Sequence, residues 1–164
     1  VEAVELLRKY KLDAGVLPYH LMIVDRTGES VVLEYVGGEL KAITSREPWR
    51  VCTNHLLFGR SEKENDAICD RYRKASGVLA NANGDYDADD MTNLMSSITF
   101  ERWTMWTSVY DLSTGEFRIA HRRDFDNVHS GKLRMTPQGA RAAPDAALSH
   151  RREPSFDRVR SRAR

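Results

Sequence analysis

Near the start of the chain, apolar residues stand at Ala3, Leu6, Leu7 and Tyr10. Their i, i+3, i+4, i+7 spacing predicts one face of an amphipathic helix that stops near Asp13-Ala14-Gly15. From His20 the period shortens: His20 to Val24 predicts a strand, Asp25-Arg26-Thr27-Gly28 a tight turn, and Ser30 to Tyr35 a β-branched partner strand. Gly37-Gly38 predicts a second turn into Glu39 to Ile43, completing an antiparallel meander, and Trp49 to Thr53 predicts one more strand.

A polar stretch from Gly59 to Asn65 leads into a predicted helix through Leu79. Its apolar arc centres on Ile68 and takes in Tyr72, Ala75, Val78 and Leu79, with Arg71 inside the arc and Arg73 outside it. Asn81-Ala82-Asn83-Gly84 ends that helix with residues that accept the left-handed conformation. Asp87 caps a third helix, Asp89 and Asp90 suit its positive end, and Met91, Leu94, Met95 and Ile98 form its buried stripe. Thr104 to Leu112 and Phe117 to His121 flank Ser113-Thr114-Gly115-Glu116 as a hairpin, and Gly131 to Met135 predicts a last short strand. This order favours an α+β fold with mainly antiparallel sheet and flanking helices over a doubly wound parallel one. Gly37-Gly38 joins two strands and opens no helix, which argues against a phosphate loop.

With 164 residues, 41% of them hydrophobic, the chain can bury one domain core. That domain is expected over 1–135. The stretch from Thr136 to Arg164 has seven Arg, no Lys and three acids, while the rest of the chain is net negative. We read 136–164 as a basic, disordered tail rather than a nucleic-acid arm, because only Phe156 could serve as an aromatic platform there. Its bias toward Arg also suggests a frameshifted or read-through end. The two cysteines and five histidines form no metal-ligand spacing, so no metal and no cofactor are expected. Neither a membrane span nor a signal peptide is legible, which leaves the location unknown, with cytoplasmic only slightly favoured over exported. The chain begins at Val1 inside a helical pattern, so the true N-terminus is expected to lie upstream.

The chemistry concentrates in Val51-Cys52-Thr53-Asn54-His55-Leu56-Leu57-Phe58 and, about one helix later, Asp70-Arg71-Tyr72. A carboxamide at Asn54 and a guanidinium at Arg71 are donors of the kind that stabilise a developing oxyanion. The plainer readings are Asn54 as a turn residue bonded to its own backbone, and Arg71 as a structural cation paired with Asp70 or Asp66. Cys52 and Cys69 read as small packed hydrophobes, with Cys52 and His55 as a nucleophile and base the less favoured alternative. His20 and His121 read as structural. Trp103, Trp106 and Tyr110 either line an acyl pocket or belong to the core.

Taken in order, these stretches resemble the C-terminal half of the choloylglycine hydrolase family, the linear amide C-N hydrolases that include bile-salt hydrolases and penicillin V acylases. The likeness rests on the hairpin pattern D-x-x-G-x-x-x-V-x-E over Asp25 to Glu34, on Thr53-Asn54, on Arg71-Tyr72, and on the late hairpin Trp106 to Gly115. The resemblance implies an incomplete αββα four-layer sandwich of N-terminal nucleophile type. It also implies an N-terminal Cys, supplied by an absent upstream half, that attacks a linear amide with its own α-amine as base. Asn54 would then donate to the oxyanion and Arg71 would sit beside the nucleophile, with His55, Phe58 and Trp106 on the substrate side. The implied partners are a small-molecule amide, the missing half of the domain and a second copy in a homo-oligomer, with no nucleic acid and no membrane. An acyltransferase of the same superfamily and an inert interaction module are the alternatives.

Overall fold

A computed structural model describes residues 2–10, 20–82 and 85–133. The elements are α1 (Glu2–Leu7), β1 (His20–Val24), β2 (Ser30–Val36), β3 (Glu39–Ile43), α2 (Glu62–Ile68), α3 (Asp70–Asn81), α4 (Ala88–Ser97), β4 (Trp106–Tyr110), β5 (Glu116–His121) and β6 (His129–Lys132). The fold is α+β, with two three-stranded antiparallel sheets in the orders β1-β2-β3 and β4-β5-β6. The expected helix stop at Asp13-Ala14-Gly15, residues Asn83-Gly84, Met135 and the basic tail lie outside the described residues.

The first sheet follows from its turns. Asp25 accepts hydrogen bonds from the Thr27 amide and hydroxyl, and Gly28 takes φ +86° to close the loop. Gly37 and Gly38 both have positive φ, at +62° and +82°, as a two-residue turn matched to strand twist requires. These turns set the register, which places His20 opposite Glu34 and Glu34 opposite Lys41. Val32 and Leu33 are fully buried, and Val32 packs with Leu57 and Tyr72, bordered by Ile43, Val51, Cys52 and Cys69.

Two expectations for the middle of the chain are corrected. Trp49–Thr53 forms no strand. Its last carbonyl, at Thr53, accepts from the His20 side chain, and just beyond it the Leu57 and Phe58 amides donate to Glu34. The helix expected through Leu79 begins earlier, at Glu62 behind a Ser61–Glu64 capping box, and is broken at Cys69. Cys69 adopts an extended conformation (φ −141°, ψ 112°) and ends α2 while starting α3. The break turns Ile68, expected at the centre of the apolar arc, out to 51% exposure. Tyr72, Ala75 and Leu79 are buried as expected, and Asn65 is buried on α2.

α4 has the expected Asp87 cap, closed into a box by Asp90, but of its stripe only Leu94 is fully buried. This helix lies against β4, and the Arg118–Asp89 ion pair ties it to β5. The late hairpin turns on Asp111, whose carboxylate accepts from Ser113 and Thr114. Those bonds hold its pKa down to about 2 from an ordinary 3.8. The last strand is shifted upstream of expectation, to His129–Lys132, where Gly131 faces Phe117. A Cβ at Gly131 would stand 2.5 Å from the Phe117 ring, so the glycine makes room for the aromatic side chain.

Candidate functional site

The segment Thr53–Phe58 runs between the first sheet and the start of α3, and buried side chains hold it from below. Glu34 is completely buried. Its Oε1 accepts from the Leu57 amide at 2.8 Å, and its Oε2 accepts from the Leu57 and Phe58 amides at 3.1 and 2.9 Å. On Oε1 it also meets His20 Nδ1 at 2.8 Å, and the other ring nitrogen of His20 bonds the Thr53 carbonyl. A carboxylate in the interior is tolerable only with such a full set of partners.

His55 is fixed in the same way. Its Nδ1 lies 3.0 Å from the Thr53 hydroxyl and its Nε2 lies 3.0 Å from Oδ1 of buried Asn65. The ring packs edge-on to Tyr72, with centroids 5.6 Å apart. Both nitrogens are thus engaged within the protein, neither of them by Cys52.

Between these supports stands Asn54, exposed, with its Oδ1 accepting from an Nη2 donor of Arg71 at 3.1 Å. Arg71 is half-buried and lies 5.4 Å from the centre of the Phe100 ring. The ion pair expected as its plainer role is not formed: Asp70 pairs with Arg73 at 2.7 Å, and Asp66 accepts from Ser76 at 3.3 Å. Because a guanidinium only donates, it occupies the oxygen of the Asn54 amide and leaves the NH₂ group as a donor facing outward. The pair therefore presents N–H groups and one positive charge, a combination suited to an oxyanion or carbonyl oxygen.

Cys69 caps α3 two residues before Arg71. Burial pushes its thiol up, but the Thr53 hydroxyl, the Tyr72 and Arg71 amides and the Arg71 guanidinium together outweigh it and hold the thiol below its ordinary value. At Cys52, burial and the neighbouring Glu34 charge push the thiol up, against a smaller downward pull from Arg50. Both cysteines are free of disulfides.

The remaining sites expected for substrate binding are spread more widely. Phe58 is 42% exposed at the far end of the same segment, with the Lys41 ammonium 5.5 Å from its ring centre. Trp106 is 69% exposed on β4, opposite His121, and makes no hydrogen bond or aromatic contact with Asn54 or Arg71 among the described residues. Instead Phe100, six residues earlier, reaches Arg71. A concavity of about 770 Å³ lies elsewhere, against α1 and the first hairpin, lined by Glu2, Asp25, Glu29, Glu47 and Arg50 among others. No cluster of three His, Cys, Asp or Glu able to hold a metal occurs among the described residues. Nor is any described helix long and apolar enough to cross a membrane.

Sequence reasoning placed Glu34 only as the last position of the hairpin pattern, gave Asn65 no role and took His20 as merely structural. Glu34 carried a signal: it is the one acid in the run Val31-Val32-Leu33-Glu34-Tyr35-Val36, and folding the hairpin at Asp25–Gly28 sets it against His20. Comparison of the chain with family models, curated proteins and solved structures finds no match.

Proposed function

We propose that the chain is part of a hydrolase that cleaves the C-N bond of a linear amide, with Asn54 as oxyanion donor and Arg71 as its orienting and charge-bearing partner. The observation that carries this reading is the 3.1 Å bond from Arg71 to Oδ1 of Asn54. It fixes which end of the carboxamide faces outward and leaves that end as a donor. Donors held in place before the reaction stabilise a tetrahedral oxyanion without reorganising. Support also comes from the order of the D-x-x-G-x-x-x-V-x-E hairpin, Thr53-Asn54, Arg71 and the late hairpin.

The nucleophile in this proposal is an N-terminal Cys encoded upstream of Val1, within an αββα sandwich to which the two sheets described here contribute. The substrate class is an N-acyl compound such as a conjugated bile acid, a penicillin or an N-acyl homoserine lactone. The upstream reading frame tests the proposal. A Cys after the initiator Met or a processing site, followed by Arg and Asp, supports it; a frame without such a Cys overturns it. Amide hydrolysis by the full-length chain, assayed against Asn54→Ala, then tests the oxyanion role. Loss of one such donor costs about 3–4 kcal/mol of transition-state stabilisation.

A further inference from the structure

We infer that Glu34 and His20 act as a buried, doubly protonated clamp that positions the Asn54 segment, gripping it at Thr53 on one side and at Leu57 and Phe58 on the other. The grip is visible in the bonds. His20 Nε2 holds the carbonyl of the residue just before Asn54, and Glu34 holds the amides of the residues that end the loop. Only Asn54, His55 and Leu56 lie between the two grips. The loop has no strand partner, so these side chains take the place of a ladder.

Counting hydrogens sets the charge of the clamp. The Thr53 carbonyl can only accept, so Nε2 carries a hydrogen. Nδ1 and Glu34 Oε1, 2.8 Å apart, share a second hydrogen. Every other partner of the Glu34 carboxyl is an N–H donor, which favours its ionised form. The pair is therefore an imidazolium and a carboxylate, neutral in sum. The surrounding charges agree with this assignment. Lys41 stands opposite Glu34 on β3, with its ammonium paired to Glu39, while Cys52, Cys69 and Tyr72 pack around Val32, two residues before Glu34.

This inference rests on the proposed hydrolase only for its catalytic consequence, because the clamp is read out directly. Nitrogen-15 NMR of the His20 ring in the full chain near neutral pH should show both nitrogens protonated. Hydrogen exchange should show the Leu57 and Phe58 amides protected at least ~10-fold over amides of the exposed Gly37-Gly38 turn. In Glu34→Gln the carboxamide must donate to Nδ1, so His20 should become neutral with its hydrogen on Nε2. The two amides should then exchange ~10-fold faster while the β4–β5 amides keep their rates. If Glu34→Gln does not fold, the ring and exchange measurements on the wild type stand by themselves as the test. A singly protonated His20 in the wild type, or unprotected amides, would each overturn the clamp. In the amidase assay, Glu34→Gln should lower kcat with little change in KM. If Asn54→Ala leaves that rate unchanged while the exchange results hold, the hydrolase reading fails and the clamp stands.

Discussion

Arg71 donates to the side-chain oxygen of Asn54 across 3.1 Å and lies over Phe100 at 5.4 Å, so the orientation of an exposed carboxamide is set by a guanidinium that is itself braced. Arg71→Met removes the donor and frees the amide to rotate. Arg71→Lys keeps charge but loses the planar fork and the stacking surface. Amide-hydrolysis kinetics on the full-length protein should show a fall of ~10²-fold or more for Asn54→Ala. The loss should be smaller for Arg71→Met and smallest for Arg71→Lys. Equal rates for all four proteins would remove this pair from catalysis.

The two thiols should differ in reactivity. Cys69 is held below its ordinary value by Thr53, the first-turn amides and Arg71, whereas Cys52 is raised by burial. The thiolate is the reactive form, so alkylation by iodoacetamide near neutral pH, followed by mass spectrometry, should modify Cys69 first. Arg71→Met should slow Cys69 and leave Cys52 as it was. A thiol depressed in the folded state adds stability above its unfolded value, and that contribution fades as pH falls through its folded value. Preferential labelling of Cys52 in the native protein would contradict the arrangement.

Asp111 gives the acid limb of the stability profile. Its carboxylate, held at about 2 by Ser113 and Thr114, contributes fully above the unfolded value of 3.8. The contribution is lost as pH falls from there toward the folded value. Asp111→Asn should therefore lower Tm near neutral pH, with the difference from wild type shrinking below pH ~4. A constant difference across that range would assign the turn's stability to something other than the ionised carboxylate.

Removing the Glu34 carboxylate should cost more than any surface change. Glu34→Leu removes a fully buried acceptor and leaves the Leu57 and Phe58 amides and the His20 ring without it. Breaking a buried pair in this way costs about 3–5 kcal/mol, to be read from denaturant titration. Gly131→Ala should cost less, about 1–3 kcal/mol, by forcing the Phe117 ring aside. Phe117→Leu in the same background should recover part of that loss.

Trp103 and Trp106 are 77% and 69% exposed, and Phe100, Met105 and Tyr110 are also largely open. Apolar surface of this extent favours association. Sedimentation should show the chain self-associating, and Trp103→Lys with Trp106→Lys should shift it toward monomer. A monodisperse wild-type monomer would count against an absent partner half.

Turns and periodicity made much of the fold legible in advance. Asp25–Gly28, Gly37-Gly38 and Ser113–Gly115 are local signals, and the strands they join appear where the alternating pattern puts them. The capped start of α4 at Asp87 was legible for the same reason. The break at Cys69 was not, because nothing in the apolar spacing from Ile68 to Leu79 marks an extended residue inside a helical run. Nor was the irregular path of Trp49–Thr53, whose composition suits a strand but whose Thr53 carbonyl is taken by a side chain distant in sequence. The pairing of Asn54 with Arg71 was legible only as two donors on neighbouring elements; their contact depends on that same unforeseen break.

Because Thr53–Phe58 is fastened to side chains of β1, β2 and α2 rather than stitched into a sheet, its tip can change composition while the framework underneath stays intact. Substitutions at Leu56, which supplies neither of the gripped carbonyl and amide groups, should leave both fastenings in place. The meander would keep its register throughout.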